Sequence, residues 1–508
     1  MKWLVRIGLC AVVLLVAGIA GLRYFVPVSV PLPGMLANAF PRVFAAPRAD
    51  AAIVHSRLHA PTGYTVSVFA ADIKGARMVR VTEAGDVLVA SQDLGEVLLL
   101  AKDENGDGRA DDRRTLLAGL DGPNGLDFHG GFLYVAETSR IVRVRFDAGR
   151  RAVDGKPEVV VDALPAGGNH WKKTIRFGPD GLLYLAIGSS CNVCLESDER
   201  RAAMLRFTPE GKFVDILATG LRNSAGFDWR DADGELYATD NGRDLLGDDF
   251  PPCELNRIRA GGFYGWPFAN GDRVPDPDLG AGRDAVIAAS IPPAFAFRAH
   301  NAPLGMVFLK SDKQPDAYKG DALVALHGSW NRSTKDGYKV VALHWDADGS
   351  IRSRDFVTGF LADENVIGRP AEVTEDADGA IYVSDDYANA IYRIVPGGTQ
   401  VLEIGKAAAP RASGAAAAVD PQLIVRGATA FGQRGCQACH VLEGDGKDGR
   451  VVLADLKTRY DATTLIDYLA KPRQPMPPVE DAEARAALAA FLLDRPPLRG
   501  STVSQGAS

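Results

Sequence analysis

A glycine turn followed by alternating apolar residues recurs along most of the chain. The copies lie at residues 85–90, 131–136, 180–185, 233–238 and 378–383, and several begin with Asp-Gly. Asp-Gly before alternating apolar residues is a hairpin signal. The copies stand roughly 45 to 55 residues apart where the series is unbroken, which is the period of a propeller blade. A further run at 322–326 fills the largest gap. The pattern predicts an all-β propeller of about six blades over residues 60–400.

The pattern changes to helical spacing near the C-terminus. An Ala-rich stretch at 401–420, with Pro410 and Gly414, is typical of a linker. Apolar periodicity then predicts helices over 421–432, 462–469 and 481–493, with Asp481 as an N-cap. We therefore expect a small all-α domain at 421–495, followed by a tail at 496–508.

The N-terminus has the composition of an export segment. Lys2 and Arg6 flank the start of an apolar run at residues 7–22, and a Pro-rich stretch follows. The run is about long enough to span a bilayer, since roughly 20 residues suffice. We expect residues 1–25 to be a membrane anchor or uncleaved signal and 26–59 a linker. The positive residues place the rest of the chain on the periplasmic face of a bacterial inner membrane, or free in the periplasm if cleavage occurs.

Charge and cysteine content narrow the function. The net charge of −7 over 508 residues is mild, and no basic stripe is present, so nucleic acid is not an expected partner. Of the six cysteines, Cys436 and Cys439 belong to a motif with a following histidine. That motif carries the chemistry of the C-terminal domain.

The motif at residues 436–440 (CQACH) predicts a covalently attached haem c. In C-x-x-C-H the two thiols, here of Cys436 and Cys439, add to the haem vinyl groups, and the adjacent imidazole of His440 binds iron. Met476 is the only methionine after His440, which is the last histidine, so it is the candidate sixth ligand. With its three helices, this stretch resembles a small class I cytochrome c domain.

Several motifs of the predicted propeller occur in a recognisable order. They are residues 220–227 (GLRNSAGF), 240–243 (DNGR), 254–256 (ELN) and 264–267 (YGWP). Their order and rough spacing resemble the sugar dehydrogenases of the soluble glucose dehydrogenase type, which depend on pyrroloquinoline quinone (PQQ). Residues 327–332 (HGSWNR) and 191–194 (CNVC) are more similar to the branch that contains sorbosone and pyranose dehydrogenases. The resemblance implies a six-bladed propeller with PQQ and Ca²⁺ near its axis.

The same resemblance assigns roles to individual residues. His170, which precedes a Gly-Pro-Asp-Gly turn, matches the general base. Arg222, Asn223 and Arg369 match residues that contact the cofactor. Because PQQ carries three carboxylates, cationic partners with planar forks suit it.

The resemblance also implies a calcium site with a changed shell. Gly242 and Arg243 fall where backbone carbonyls of the family bind Ca²⁺. The carboxylate expected before Glu254 is replaced by Cys253, with Asp248 and Asp249 nearby.

Cys191 and Cys194 lack a following histidine and are expected to form a disulfide in an oxidising compartment. The alternative at this point is pairing with Cys253. Zinc is disfavoured because no second Cys/His pair is near in sequence.

Three functions remain open from the sequence. The first is a quinohaemoprotein dehydrogenase that oxidises a sugar or a related alcohol or aldehyde and passes electrons from PQQ to its own haem. An external acceptor, a cytochrome or a membrane respiratory chain, would then receive them. The second is a non-catalytic propeller that binds sugars or a partner and tethers an electron-carrier haem. The third is a lactonase-like propeller that uses Ca²⁺ for hydrolysis.

Overall fold

The computed structural model describes residues 50–362 and 364–398, and in the C-terminal part 421–434, 436, 440–441, 451–453, 456, 462–470, 472, 476 and 478–494. The chain divides into two compact units between Ile404 and Gly405. Among the helices in these ranges, none is long and apolar enough to cross a membrane. The predicted anchor (1–25), the linker at 401–420, the tail at 496–508 and Cys439 lie outside the described residues.

The first unit is a six-bladed β-propeller. Its blades are six antiparallel sheets of four or five strands, one of them extended by a short parallel strand. The N-terminal strand β1 is Gly63–Ala70, and the blades in chain order are as follows. Blade 1 has β2 Ala76–Val81, β3 Val87–Ser91, β4 Glu96–Leu100 and β5 Arg113–Leu117. Blade 2 has β6 Leu126–His129, β7 Phe132–Ala136, β8 Ile141–Asp147 and β9 Ala152–Val161. Blade 3 has β10 Lys173–Phe177, β11 Leu183–Ile187, β12 Ala203–Phe207 and β13 Phe213–Thr219.

The remaining strands complete the ring and its loops. Blade 4 has β14 Phe227–Trp229, β15 Leu236–Asp240, β16 Cys253–Ile258 and β20 Phe295–Phe297, while β17 Gly262–Phe263 joins blade 3. Blade 5 has β21 Pro303–Phe308, β22 Ala322–Leu326, β23 Lys339–Trp345 and β24 Ile351–Val357. Blade 6 has β27 Pro370–Glu375, β28 Ile381–Asp385 and β29 Ala390–Gly398. Two hairpins lie outside the blades: β18 Ala269–Asn270 with β19 Val274–Pro275, and β25 Leu361–Ala362 with β26 Asn365–Val366.

The recurring runs of the sequence form the second strand of each blade. These strands are β3, β7, β11, β15, β22 and β28, and all but β7 are buried at every position. Adjacent blades cover both faces of such a strand, which explains why the runs are apolar almost throughout. The prediction of a six-bladed propeller is confirmed.

The turn before each second strand needs a glycine for its backbone conformation. In the five predicted turns the glycine has a φ between +71° and +85°. At Gly181 and Gly234 an added Cβ would meet nothing within 4 Å, so conformation and not space selects glycine there.

Strand β1 closes the ring by pairing antiparallel with β29 as the outermost strand of blade 6. Helix α1 (Ala51–His55) lies just before it, capped by the Asp50 carboxylate. Val54 and Leu58 are buried in the core of blades 5 and 6. The structure differs here from the prediction of a linker through residue 59, because these two apolar side chains fold onto the propeller. A second short helix, α2 (Asp284–Ala289), lies in the long loop of blade 4.

The second unit contains three helices around one apolar core. They are α3 Pro421–Gln433, α4 Ala462–Ala470 and α5 Ala482–Asp494, with a short parallel pair, β30 His440–Val441 and β31 Val451–Val452. The predicted helices are confirmed within one residue at each end. Asp481 caps α5 by accepting the backbone N–H of Glu483 at 3.0 Å.

Helices α3 and α5 cross closely at Gly427. A Cβ at this position would lie 2.0 Å from the carbonyl oxygen of Ala487 and 2.5 Å from Cβ of Phe491. Only glycine allows this distance between the two helix backbones.

We expect Gly427→Val to destabilise the helical unit by about 3 kcal/mol, because overpacking a close contact costs about 1–3 kcal/mol and here the neighbour is backbone. Thermal unfolding of the full chain, followed by helical circular dichroism, measures it. Ala428→Val, which places the same side chain at an exposed position of the same helix, is the control. Its only expected cost is about 0.5 kcal/mol of helix propensity, whereas replacing glycine by valine gains a few tenths. Equal stability of the two variants would contradict this account of the crossing.

Candidate active site

A cavity of about 280 Å³ opens at one end of the propeller axis, and every blade contributes to its wall. The innermost strands β2, β6, β14, β21 and β27 contact neighbours around the axis, and β10 contacts β6. The lining side chains come from the starts of these strands and the loops beside them. The cavity brings together His170, Arg222, Asn223, Gly242 and Arg369 from the sequence-based predictions.

The protonation of His170 can be read from its hydrogen bonds. Its Nδ1 lies 3.1 Å from the carbonyl oxygen of Ser189 and 2.9 Å from the Ser189 hydroxyl. A carbonyl oxygen can only accept, so Nδ1 carries the proton and Nε2 keeps its lone pair. Burial, and secondly the Arg222 charge, lower the pKa of His170 to about 3. The imidazole is therefore neutral, with its basic nitrogen free.

Gly188 packs closely against His170. An added Cβ at Gly188 would lie 2.5 Å from Cβ of His170 and 2.8 Å from Oδ1 of Asn223. A larger residue here would displace two cavity side chains at once.

Arg222 is held rigidly and is 3% exposed. Its guanidinium donates to the Asn192 carbonyl (3.0 Å), to Asn192 Oδ1 (2.9 Å), to the carbonyls of Asn241 and Gly242, and to Asp244. All five N–H donors are thus used within the protein. Arg222 can therefore attract an anion through its charge and can contact a ligand with its planar face, but it has no free N–H group to donate.

Unlike Arg222, which pairs with Asp244, the basic side chains of Lys172 and Arg369 in the wall have no acidic partner among the described residues. Neither Lys172 nor Arg369 forms an ion pair within the described ranges, and Arg369 donates its side-chain N–H groups to the carbonyls of His327 and Gly328. Burial and the Arg77 charge lower the pKa of Lys172 to about 7. A cavity with cations in excess of paired carboxylates suits a polyanionic ligand.

Unpaired polar atoms also surround the cavity. Among the residues that the structure covers, Oγ of Ser224, Oδ1 of Asn241, Nδ1 of His300 and Oδ1 of Asn331 are buried without a hydrogen-bond partner, and all four residues line the wall. Buried polar groups in proteins are nearly always bonded. Three of these atoms are acceptors, since Nε2 of His300 donates to the Gly247 carbonyl and leaves Nδ1 with its lone pair. They suit a cation or the donor groups of a ligand, whereas the unpaired Lys172 and Arg369 suit anionic groups such as the carboxylates of PQQ.

The predicted calcium ligands are the backbone carbonyls of Gly242 and Arg243. Gly242 lines the cavity, but its carbonyl accepts from Arg222 at 2.9 Å. The side chain of Arg243 turns away into a buried ion pair with Asp276 at 2.7 Å. Arg332 donates to the backbone carbonyl of Asp248 and to the carboxylate of Asp249. The metal role of the Gly242 and Arg243 carbonyls stays a prediction.

Asp244 is the acidic side chain that lies beside Gly242. It lines the cavity, accepts from Arg222 at 3.0 Å and from Asn331 at 3.1 Å, and its side chain is 23% exposed. Carboxylate and carbonyl oxygens are the donors that Ca²⁺ prefers. The oxygen donors here fit that ion.

Cys191 and Cys194 form a disulfide with each other, while Cys253 is a buried free thiol. The first pairing considered from the sequence is confirmed. Burial raises the pKa of Cys253 to about 11 and keeps this thiol protonated.

Two of the predicted haem residues lie at the apolar core of the second unit. Cys436 and Met476 both pack against the core formed by Phe431, Leu456, Leu465 and their neighbours. Nδ1 of His440 is buried and without a partner among the described residues. A thiol and a thioether at one apolar core, with a half-buried imidazole in the same unit, fit a haem.

The sequence interpretation missed Lys172, Asp244 and Asn192. A signal existed for two of them, since Lys172 follows His170 by two residues and Asp244 directly follows the predicted calcium pair. Asn192 was noted as part of the CNVC motif, but its contact with Arg222 spans thirty positions and has no local signal.

Comparison with known proteins places the propeller in a family. The pattern of the family described as glucose / sorbosone dehydrogenase matches residues 134–393. An uncharacterized protein of Borreliella burgdorferi is 30% identical over 360 residues, which cover 67% of this chain and 91% of that protein.

Solved structures share the fold. A calcium structure of the Trichoderma reesei carbohydrate-active enzyme of family AA12 matches with a TM-score of 0.58 and 20% identity, over 67% of this chain and 98% of that one. The holo form of the pyranose dehydrogenase PQQ domain from Coprinopsis cinerea matches with a TM-score of 0.57 and 21% identity, over 66% and 97%.

Proposed function

This chain belongs to the glucose / sorbosone dehydrogenase family, and we propose that it is a quinohaemoprotein dehydrogenase for a sugar or a related alcohol or aldehyde. The observation that carries the proposal is the axial cavity, in which the neutral His170 faces a wall with the unpaired cations Lys172 and Arg369. The name of the C. cinerea neighbour, a PQQ domain of a pyranose dehydrogenase, supports PQQ as the anionic group.

His170 acts as the general base of this proposal. When bound, PQQ supplies the hydride acceptor. Nε2 of His170 takes the proton of the substrate hydroxyl, while a hydride leaves the carbon that bears this hydroxyl. The substrate therefore loses two electrons and two hydrogens. Ser189 keeps the proton on Nδ1 and thereby keeps Nε2 available.

The cationic wall would hold the cofactor. Arg222, Lys172 and Arg369 would offset the charge of the PQQ carboxylates, and Asn223 lines the cavity with the base. The Gly242 carbonyl and the Asp244 carboxylate would hold Ca²⁺, whose Lewis acidity polarises the cofactor carbonyl. The calcium structure of the T. reesei neighbour supports the ion.

Reconstitution with a soluble dye as electron acceptor tests the dehydrogenase directly. The full chain, purified without PQQ, is mixed with PQQ and Ca²⁺ and offered a broad set of aldoses, alcohols and aldehydes. We expect dye reduction with at least one sugar, and none when PQQ is omitted. No oxidation of any of these compounds would contradict the proposal. Lactone hydrolysis without PQQ would favour the hydrolytic alternative.

The pH dependence follows from the lowered pKa of His170. A base works unprotonated, above its pKa, so a pKa of about 3 keeps His170 active through mildly acidic pH. We expect kcat/KM for the sugar to show no loss from this group between pH 8 and 5. An unperturbed histidine, with a pKa of about 6.5, would cost roughly thirtyfold over that range. A pH profile with an apparent pKa near 6.5 on its acid side would contradict the assignment.

The helical unit is the proposed exit for the electrons. Cys436 and Cys439 would attach the haem and His440 and Met476 would bind its iron, and the group would supply a one-electron carrier. An external cytochrome or the membrane respiratory chain is the proposed acceptor. The Cys191–Cys194 disulfide supports an oxidising compartment, here the periplasm, and residues 1–25 would anchor the chain there.

Met476→Ala tests the sixth ligand of the haem. Removing the thioether is expected to abolish the methionine-to-iron charge-transfer band of the oxidised protein and to lower the haem potential, because thioether ligation raises it. Absorption spectroscopy and a redox titration measure both. An unchanged band in the variant would exclude Met476 as a ligand.

A further inference from the structure

A loop closed by a disulfide lies behind the proposed active site. It comprises residues 189–194 after strand β11, and the Cys191–Cys194 bond closes it. Its residues are half-buried apart from the buried Ser189. We call it the disulfide loop.

The disulfide loop contacts Arg222 through one residue. Asn192 accepts from Nε of Arg222 with its carbonyl oxygen at 3.0 Å and from the NH2 group with Oδ1 at 2.9 Å. Asn192 is fixed in turn by Asp244, whose backbone N–H donates to Oδ1 at 2.8 Å and whose carbonyl accepts from Nδ2 at 3.1 Å. One side chain therefore orients the buried cation and the neighbouring acidic segment.

The same loop contacts the base. The Ser189 hydroxyl donates to the carbonyl of Cys191 at 2.7 Å, so its oxygen is left to accept from Nδ1 of His170 at 2.9 Å. The backbone N–H of Asn169 also donates to the carbonyl of Ser190 at 2.8 Å. The loop thus touches both elements that carry the proposed chemistry.

The covalent bond matters because several of these contacts use the backbone. The carbonyls of Cys191 and Asn192 lie within the ring that the disulfide closes, and no strand or helix fixes this segment. Without the bond, hydrogen bonds alone hold this segment, and its residues regain part of their conformational freedom. The positions of both carbonyl oxygens would then spread.

We propose that the Cys191–Cys194 disulfide is a positioning element of the active site and that Asn192 is a positioning residue that acts through Arg222. This inference rests on the proposed function, since it takes the axial cavity as the PQQ site. Loss of the bond or of the Asn192 side chain lets Arg222 move and weakens binding of the cofactor.

The test is the affinity of the full chain, with Ca²⁺ present, for PQQ. We expect Asn192→Ala and the double variant Cys191→Ser/Cys194→Ser each to bind PQQ roughly tenfold more weakly or worse, the scale of a hydrogen bond to a charged group. Leu195→Ala, which alters an exposed residue (61%) next to the ring, is the matched control and should bind as the wild type does.

A double-mutant cycle shows whether Asn192 acts through Arg222. In an Arg222→Ala background, Asn192→Ala should weaken PQQ binding less than twofold further. Additive losses would overturn the inference, even if the cysteine variant failed to fold. Wild-type affinity for PQQ in Asn192→Ala, or in a folded cysteine variant, would also overturn this inference. The proposed function would not be affected by that result. A wild-type chain that does not bind PQQ would overturn the proposed function and this inference with it.

Discussion

His170→Ala is expected to lower sugar oxidation in the dye assay by roughly 100-fold to 10,000-fold, the usual contribution of a positioned base. Nδ1 is committed to Ser189, and Nε2 alone is free to take the hydroxyl proton. Since the charges proposed to hold the cofactor lie elsewhere in the wall, PQQ affinity should stay within a few fold of wild type. Initial rates and a PQQ titration on the same preparation measure the two quantities.

His344→Ala is the control for this variant. His344 also pairs with a neighbouring group, Asp321 at 2.7 Å, but it lies on blade 5 away from the cavity. Full activity of His344→Ala beside an inactive His170→Ala that still binds PQQ fits the account. A near wild-type kcat in His170→Ala would exclude His170 as the general base.

Replacing both thiols of the haem motif, Cys436→Ala and Cys439→Ala, is expected to abolish covalent haem completely. Each thioether bond needs one of these sulfurs, so no haem should remain on the chain after denaturation. Haem staining of a denaturing gel measures the loss. Dye-linked sugar oxidation should persist, because the propeller core and the helical core are formed by separate sets of residues.

The converse outcome is equally informative. Covalent haem in the double variant would show that the attachment site lies elsewhere. Loss of dye-linked oxidation in a folded double variant would show that the propeller depends on the haem for its own reaction.

The propeller was predictable because its signal is local and repeated. A turn glycine with positive φ is followed by a strand buried on both faces, and this arrangement requires a glycine before an apolar run. The pattern recurs at residues 85–90, 180–185 and 378–383. The N-terminal edge was not predictable in this way. Val54 and Leu58 are two apolar residues without a period, and only the surface of blades 5 and 6 gives them a place to pack.

The site could be predicted only in part, because side-chain direction depends on distant residues. His170, Arg222, Asn223 and Arg369, to which the family resemblance assigned roles, line one cavity. Arg243 is next to Gly242 in sequence, yet Asp276 draws its side chain into a separate buried pair. The full pairing of Arg222 also required the fold, since its partners come from two segments of the chain, Asn192 and residues 241–244, that lie far from each other in sequence.

The most direct test of the account is haem reduction by substrate without any added acceptor. The full chain with covalent haem, PQQ and Ca²⁺ is mixed anaerobically with a sugar that it oxidises in the dye assay, and the haem α-band is recorded. The account predicts that the band of reduced haem appears after the sugar is added, and that it does not appear in His170→Ala. A haem that stays oxidised while the same sugar still reduces the dye would contradict the proposed transfer of electrons from the propeller to the haem.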